Sequence, residues 1–331
     1  MTLAGSWFAV IAVLWTAFFV LEGFDFGVGA LHGVIGADEA GRQSVIATIG
    51  PLWDGNEVWL ITAGAAMFAA FPGWYATMFS GFYLALVLLL AALMARGIGL
   101  EYRGKTESMS WRRSFGGLLT GGSVIAPLLL GLALGDLLHG LPVNGAQEYT
   151  GTFWTLLSPY GIFTGVTLAA ICAVHGATFI ALKTAGPVRD RALALARLAA
   201  PVTAAAVTAF AVWTHVIAGK GVLPNPVEVA AVLAVLAAAW QVRDGREGWA
   251  FAATTATMGL TVLSVFTELY PRVLVSSTSP ADSLTVTGTV SGGYSLRVLT
   301  VVTAIVLPGV LAYTAWTYYV FRKRLTRRGP T

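Results

Sequence analysis

The stretch WFAVIAVLWTAFFVLEGFDFGVGALHGVI, residues 7–35, decides what kind of protein this chain is. It is longer than the roughly 18 apolar residues that a membrane-spanning helix needs. It lacks a basic leader and no clean cleavage site ends it, so it reads as a first helix that stays rather than as a signal peptide. Similar apolar runs recur along the whole sequence. Of 331 residues, 56% are hydrophobic and 11% charged, against roughly 25% charged in an ordinary soluble domain. A water-soluble globule could not hide that much apolar surface, and a bilayer removes the need to. The chain is expected to be an all-α integral membrane protein, one polytopic domain over residues 1–331, because no linker or charge block divides it.

The expected helices lie near residues 7–35, 54–70, 77–97, 115–139, 159–183, 198–218, 227–241, 249–270 and 296–321, joined mostly by short turns such as Phe71-Pro72-Gly73 and Leu223-Pro224-Asn225-Pro226. The seventh is short, bounded by Pro226 and Arg243. Basic residues test this count of about nine. With the N-terminus outside, the cytoplasmic segments hold Arg42; Arg96, Arg103, Lys105, Arg112 and Arg113; Lys183, Arg189, Arg191 and Arg197; Arg243 and Arg246; and the tail Arg322, Lys323, Arg324, Arg327 and Arg328. These are 17 of the 20 lysines and arginines, leaving Lys220, Arg272 and Arg297 outside. The positive-inside rule demands such a bias, and an even count of crossings would spoil it. The tail cluster reads as a membrane-surface anchor rather than a nucleic-acid patch.

Ionisable groups within a bilayer are expensive, which makes them functional candidates. In Glu22-Gly23-Phe24-Asp25-Phe26-Gly27-Val28-Gly29, Glu22 and Asp25 share a helix face, and the glycines permit a close helix approach. The alternative is packing glycine with carboxylates that reach the interface. In Pro51-Leu52-Trp53-Asp54-Gly55-Asn56-Glu57-Val58-Trp59-Leu60, Pro51 suits a helix entrance and Asp54 could cap the first turn. Asp54, Asn56 and Glu57 together exceed what a cap requires. Arg96-Gly97-Ile98-Gly99-Leu100-Glu101-Tyr102-Arg103-Gly104-Lys105 is either part of the same site or a plain basic loop. Glu22 lies about 15 residues into its helix, roughly 22 Å at 1.5 Å per residue, in the cytoplasmic third of a core about 30 Å thick. Asp54 begins the next helix on that side and Glu101 ends the third there. A proton path from the cytoplasm follows as a hypothesis.

Other chemistries find little support. His32, His139, His175 and His215 form no metal-ligand motif, and there is no C-x-x-C, Walker loop or nucleophile elbow. His175 and His215 read as packing histidines rather than haem ligands, and Cys172 as a small packing residue. If electrons move here, their cofactors belong to another chain.

The sequence resembles subunit II of the bacterial cytochrome bd quinol oxidases. The resemblance is carried by GFDFGVG (residues 23–29), PLWDGNEVWL (51–60) with Ile61-Thr62-Ala63-Gly64, Phe71-Pro72, Ser80-Gly81-Phe82-Tyr83, Arg96 and Glu101-Tyr102-Arg103. It continues through Ser276-Ser277-Thr278, Ser283-Leu284-Thr285 and Tyr313-Thr314-Ala315-Trp316, in order along nearly the whole chain. It implies two four-helix bundles plus one peripheral helix, in the bacterial plasma membrane. It also implies a heterodimer with subunit I, which carries two b-type haems and one d-type haem. This chain would be the haem-free part of an electrogenic, oxygen-reducing quinol oxidase, with bound quinone or lipid, a share of the proton path, and small single-helix accessory subunits as further partners. Asp54, Glu101 and Lys105 match positions that the family associates with proton uptake, Glu101 standing where the family can have Asp. Asp25, Glu22, Asn56 and Glu57 extend the candidate path, and Trp53, Trp59 and Arg96 are candidate contributors to the interface. The loop between the sixth and seventh helices is shorter than in some members. Membrane carboxylates and glycine-broken helices would also suit a secondary transporter for a cation or small solute, although no inverted repeat with matched helix breaks is evident.

Overall fold

The computed structural model describes residues 2–325, so Arg327 and Arg328 of the basic tail lie outside the described residues. Nine helices of 18 residues or more run through the described residues, and eight of them are both long and apolar enough to cross a membrane. The ninth, α3 (Trp53–Ala70), is 18 residues long but opens with Asp54, Asn56 and Glu57.

The first bundle comprises α1 (Leu3–Ile35), α3, α5 (Tyr83–Tyr102) and α6 (Met109–His139), with short helices α2 (Glu39–Ile46) and α4 (Pro72–Gly81) at opposite ends. The second comprises α7 (Pro159–Lys183), α8 (Gly186–Ala218), α9 (Pro226–Arg243) and α10 (Glu247–Leu269). A four-residue turn, α11 (Val286–Thr289), precedes α12 (Gly293–Val320), which lies outside both bundles and packs on α3.

Local chemistry marks the ends. The side chains of Thr2, Asp38, Ser108, Ser158 and Asn225 cap α1, α2, α6, α7 and α9 by accepting from free first-turn amides, while Pro159 and Pro226 occupy first helical positions where no amide is needed. Gly219, with φ of 60°, turns the chain left-handed to end α8.

Two expectations need correction. The span expected at 77–97 is two helices, α4 and α5, broken at Phe82. Gly81 sits against the Tyr149 ring, where a Cβ would come within 3.0 Å of it, and glycine is in any case a poor helix former. The sixth span starts at Gly186 rather than near 198, because Arg189, Asp190, Arg191 and Arg197 continue the helix as a polar extension.

At one end of the molecule lie Arg42, Arg103, Arg112, Lys183, Arg189 and Arg246. The other is covered by loops 140–158 and 270–292. There β1 (Arg272–Leu274) pairs antiparallel with β2 (Leu284–Thr285). The Val143 carbonyl accepts from Ser276 Oγ at 2.9 Å and from Thr278 Oγ1 at 2.6 Å, which joins the two loops. The serine and threonine motif of residues 276–285 thus locks this cap.

The bundles join where α1 crosses α7. A Cβ at Gly27 would collide with the Cys172 carbonyl oxygen and lie 2.8 Å from the Gly176 Cα, and one at Gly176 would meet Gly27 in turn. Backbone atoms cannot swing aside, so the crossing requires both glycines. Gly27→Val is therefore expected to destabilise the detergent-purified protein by about 1–3 kcal/mol or more, as overpacking does, read as a lowered midpoint of thermal unfolding. An unchanged midpoint would show that the helices separate easily there.

Candidate functional site

Glu22, Asp25, Asn56 and Arg96 are all at most 2% exposed, in the first bundle toward its arginine-rich end. They come from three helices. Arg96 of α5 makes an ion pair with Glu22 of α1 and lies 4.0 Å from Glu57 of α3, which is partly exposed. Its guanidinium stands over the Phe26 ring, 4.9 Å from the centroid, a cation–π contact that helps a desolvated cation. Room for the arginine comes from α6, where a Cβ at Gly122 would lie 2.8 Å from the Arg96 Cβ. Asn56 donates from Nδ2 to Asp25 Oδ2 at 2.7 Å and to the Leu21 carbonyl at 3.3 Å. Its Oδ1 accepts from the Tyr318 hydroxyl of α12 at 2.8 Å.

The geometry divides the expected residues into two sets. Glu22, Asp25, Asn56, Glu57 and Arg96 are brought together. Asp54, Glu101 and Lys105 are exposed at the arginine-rich end. Asp54 does not cap its helix, since the N-cap is Leu52 and no side chain accepts there. It stands one turn from Glu57, at the rim of the buried group. Trp59 is buried in the bundle core, while Trp53 is half-buried and stands over Gly97, where an added Cβ would lie 3.8 Å from its ring.

Three contributors went unnoticed in the sequence. Tyr318 lies past the Tyr313–Trp316 motif in an apolar helix. Phe26 stands between candidate residues and was given no role. Glu39 pairs with Arg103 at 2.8 Å and with Arg112 at 3.5 Å, tying α2 to α5 and α6. None of the three carried a signal in its own stretch of sequence, Glu39 standing beside Asp38 with Arg42 as its one nearby base.

A second buried acidic pair occupies the other end of the second bundle. Glu228 lies 3.7 Å from His215, and Glu268 accepts from Asn225 at 2.6 Å and lies 3.8 Å from Lys220. Lys220 also donates to the carbonyls of Thr267 and Tyr270, fastening the α8–α9 loop to α10. Partial burial pulls the Lys220 ammonium below the ordinary lysine range, and Glu268 opposes that shift.

His175 is fully buried, with Nδ1 bonded to Thr254 Oγ1 at 2.8 Å and Nε2 facing the Val20 carbonyl at 3.3 Å, so neither nitrogen is free to ligate. The described residues hold no group of three or more His, Cys, Asp or Glu arranged for a metal ion. What the first bundle does contain is an apolar cavity of about 580 Å³ between α1, α3, α4, α5 and α6, lined by residues such as Trp15, Phe19, Phe79 and Leu134.

Two helical bundles, a lipid-facing exterior and a buried ion-paired cluster define a polytopic membrane subunit built to place a few charges inside the bilayer. Comparison with known proteins makes this particular. Residues 3–321 match the family of cytochrome bd terminal oxidase subunit II. The chain is 41% identical to cytochrome bd ubiquinol oxidase subunit 2 of Bacillus subtilis (strain 168), covering 98% of this chain and 97% of the relative. It is 35% identical to cytochrome bd-I ubiquinol oxidase subunit 2 of Escherichia coli (strain K12), covering 97% and 94%. The structure of the bd oxidase from Geobacillus thermodenitrificans shares the fold, with a TM-score of 0.73 at 16% identity over 97% of both chains. The chain belongs to the cytochrome bd oxidase subunit II family. It is a multi-pass membrane subunit of a quinol oxidase that contains haem and a subunit I, and not a secondary transporter.

The buried ion pair sets a testable energetic demand. Arg96→Met would strand Glu22 in the bundle, and removing one partner of a buried pair costs about 3–5 kcal/mol. The thermal midpoint of the purified complex is expected to fall accordingly. Adding Glu22→Gln should recover a large part of the loss, and no recovery would mean that Arg96 acts through other contacts.

Proposed function

We propose that this chain is the haem-free subunit of its oxidase and that it takes up protons from the cytoplasm for reduction of oxygen to water. The observation that carries this is the run of ionisable side chains from exposed Asp54, through half-exposed Glu57, to the buried Glu22–Arg96 and Asp25–Asn56 pairs. Glu101 and Lys105 add charge at the same end. A carboxylate can take a proton from water at the rim and, with bound water between groups, pass it inward. Arg96 pairs with Glu22 and stands near Glu57, which holds those carboxyls in place.

The two b-type haems and the d-type haem belong to subunit I in this reading, supported by the engaged nitrogens of His175. When bound there, they supply the electron transfer and oxygen chemistry, and the residues of this chain hold and deliver protons. The apolar cavity has the size of a small-molecule site, and its lining suits the tail of a quinone or a lipid. Small single-helix subunits are further partners. The arginine-rich end faces the cytoplasm, which puts the N-terminus outside and the C-terminus inside.

Asp25→Asn keeps shape but removes the titratable proton. Quinol-driven oxygen consumption is expected to fall by about tenfold or more, the scale of lost acid–base groups, with the haem spectrum unchanged. Asp54→Asn should act in the same direction. Full activity in both variants would reject the path, and loss of the haem spectrum would make these assembly residues.

Orientation has its own check. A reporter active only in the cytoplasm, fused after Thr331, is expected to work. Activity of a reporter that needs the outside would reverse the topology.

A further inference from the structure

The peripheral helix supplies the last hydrogen bond of the buried cluster, and we propose that Tyr318 is a positioning residue that orients Asn56 toward Asp25. The inference rests on the reading of this cluster as a proton path. A carboxamide can turn end for end with little change in shape, so its partners decide which end points where. The Leu21 carbonyl can only accept, so the end of Asn56 that lies 3.3 Å from it is the NH2 group. That NH2 also donates to Asp25 Oδ2 at 2.7 Å. The carbonyl end must then point the other way, toward the Tyr318 hydroxyl at 2.8 Å, which donates. Asn56 is 2% exposed, so without Tyr318 its oxygen would be a buried acceptor with no protein partner.

The placement of Tyr318 argues for this role over simple packing. Along its whole length α12 buries only Leu296, and the Tyr318 ring meets Phe24 edge-on at 6.4 Å. Other contacts hold the helix. Trp7 Nε1 donates to Thr300 Oγ1 at 2.9 Å near its start. Beyond its end, Lys183 Nζ donates to the carbonyls of Phe321 and Lys323, and Arg324 pairs with Glu247. Removing the Tyr318 hydroxyl therefore leaves α12 anchored at both ends and unties only Asn56.

Asp25 shares its surroundings with Glu22 on α1, Asn56 and Glu57 on α3, Arg96 on α5 and Tyr318 on α12. On the opposite face of α1, α7 presents Cys172 and His175, while α6 presents Gly122 to Arg96 and Ser123 to Gly29. Among the described residues, Asn56 is the one side chain that donates a hydrogen bond to the Asp25 carboxyl. The orientation of its amide therefore decides whether Asp25 faces a donor or an acceptor.

The experiment uses the purified complex, with redox-induced infrared difference spectra and the pH profile of quinol oxidation. The Asp25 carboxyl band is assigned by its disappearance in Asp25→Asn. In Tyr318→Phe the band is expected to move and turnover to fall severalfold, with haem content unchanged. Thr300→Val, which loosens α12 away from the site, should leave both as they were. A stationary band in Tyr318→Phe overturns the proposal, as does an equal shift in Thr300→Val or a loss of haem in Tyr318→Phe. Where Asp25 gives no band, the pH profile decides: a displaced profile in Tyr318→Phe supports the positioning role and a superimposable one overturns it. A moved band with full turnover would uphold the positioning role and reject the proton path instead.

Discussion

The contact of Gly27 with the backbone of α7 sets the rotation of α1, and much else depends on that rotation. Successive residues of an α-helix turn by about 100°. With Gly27 against Cys172 and Gly176, Gly23 one turn earlier falls on the same face, where a Cβ would lie 3.7 Å from Cys172 Sγ and 2.9 Å from the Met258 side chain. Glu22 and Asp25 then point to the far side, toward α3 and α5. Phe26 is carried beneath Arg96. A larger side chain at Gly27 would push the bundles apart and turn both carboxylates away from their partners. One close approach thus joins the halves of the molecule and aims the chemistry of one of them.

The cluster so aimed obeys the rule that charge within a bilayer must be answered by the protein. Arg96 answers Glu22 and approaches Glu57, with an aromatic face beneath it. Asp25 is answered by a neutral amide alone. The two carboxylates of α1 therefore differ in their partners: Glu22 pairs with a cation, whereas Asp25 accepts from a neutral amide. Asp54, exposed at the rim, meets water freely. This sequence of solvated, half-solvated and buried acids is what the proposed proton path needs, and the Glu22–Arg96 ion pair lies beside it.

The exterior serves a different purpose. The face of α12 that turns away from α3 carries exposed Val301, Ile305, Trp316 and Tyr319, a surface suited to lipid or to another membrane subunit. The cavity among α1, α3, α4, α5 and α6 is likewise lined almost wholly by apolar side chains. Polar chemistry is kept inside and the outside is left to the bilayer and the partner.

The membrane character, nearly all the helices and the residues most expensive to bury could be read from the sequence, because a spanning helix leaves a local record in its length and apolarity. The placing of basic residues at one end was readable for the same reason. The break at Phe82 was not, since it depends on Tyr149 pressing on Gly81 from a loop 68 positions away in the chain. Asp54, Glu101 and Lys105 led the candidates, with Glu22 and Asp25 as extensions of the path and Arg96 as a contributor to the interface. The fold left the first three at the surface and drew the others together. Tyr318 could not be found at all, because nothing near it in the chain hints at Asn56, 262 positions away. Hydrophobicity is a property of a segment, so the sequence by itself determined which segments enter the membrane. Which side chains meet is a matter of how each helix is rotated against its neighbours, and only the tertiary structure, through close contacts such as Gly27 on Gly176, decided that.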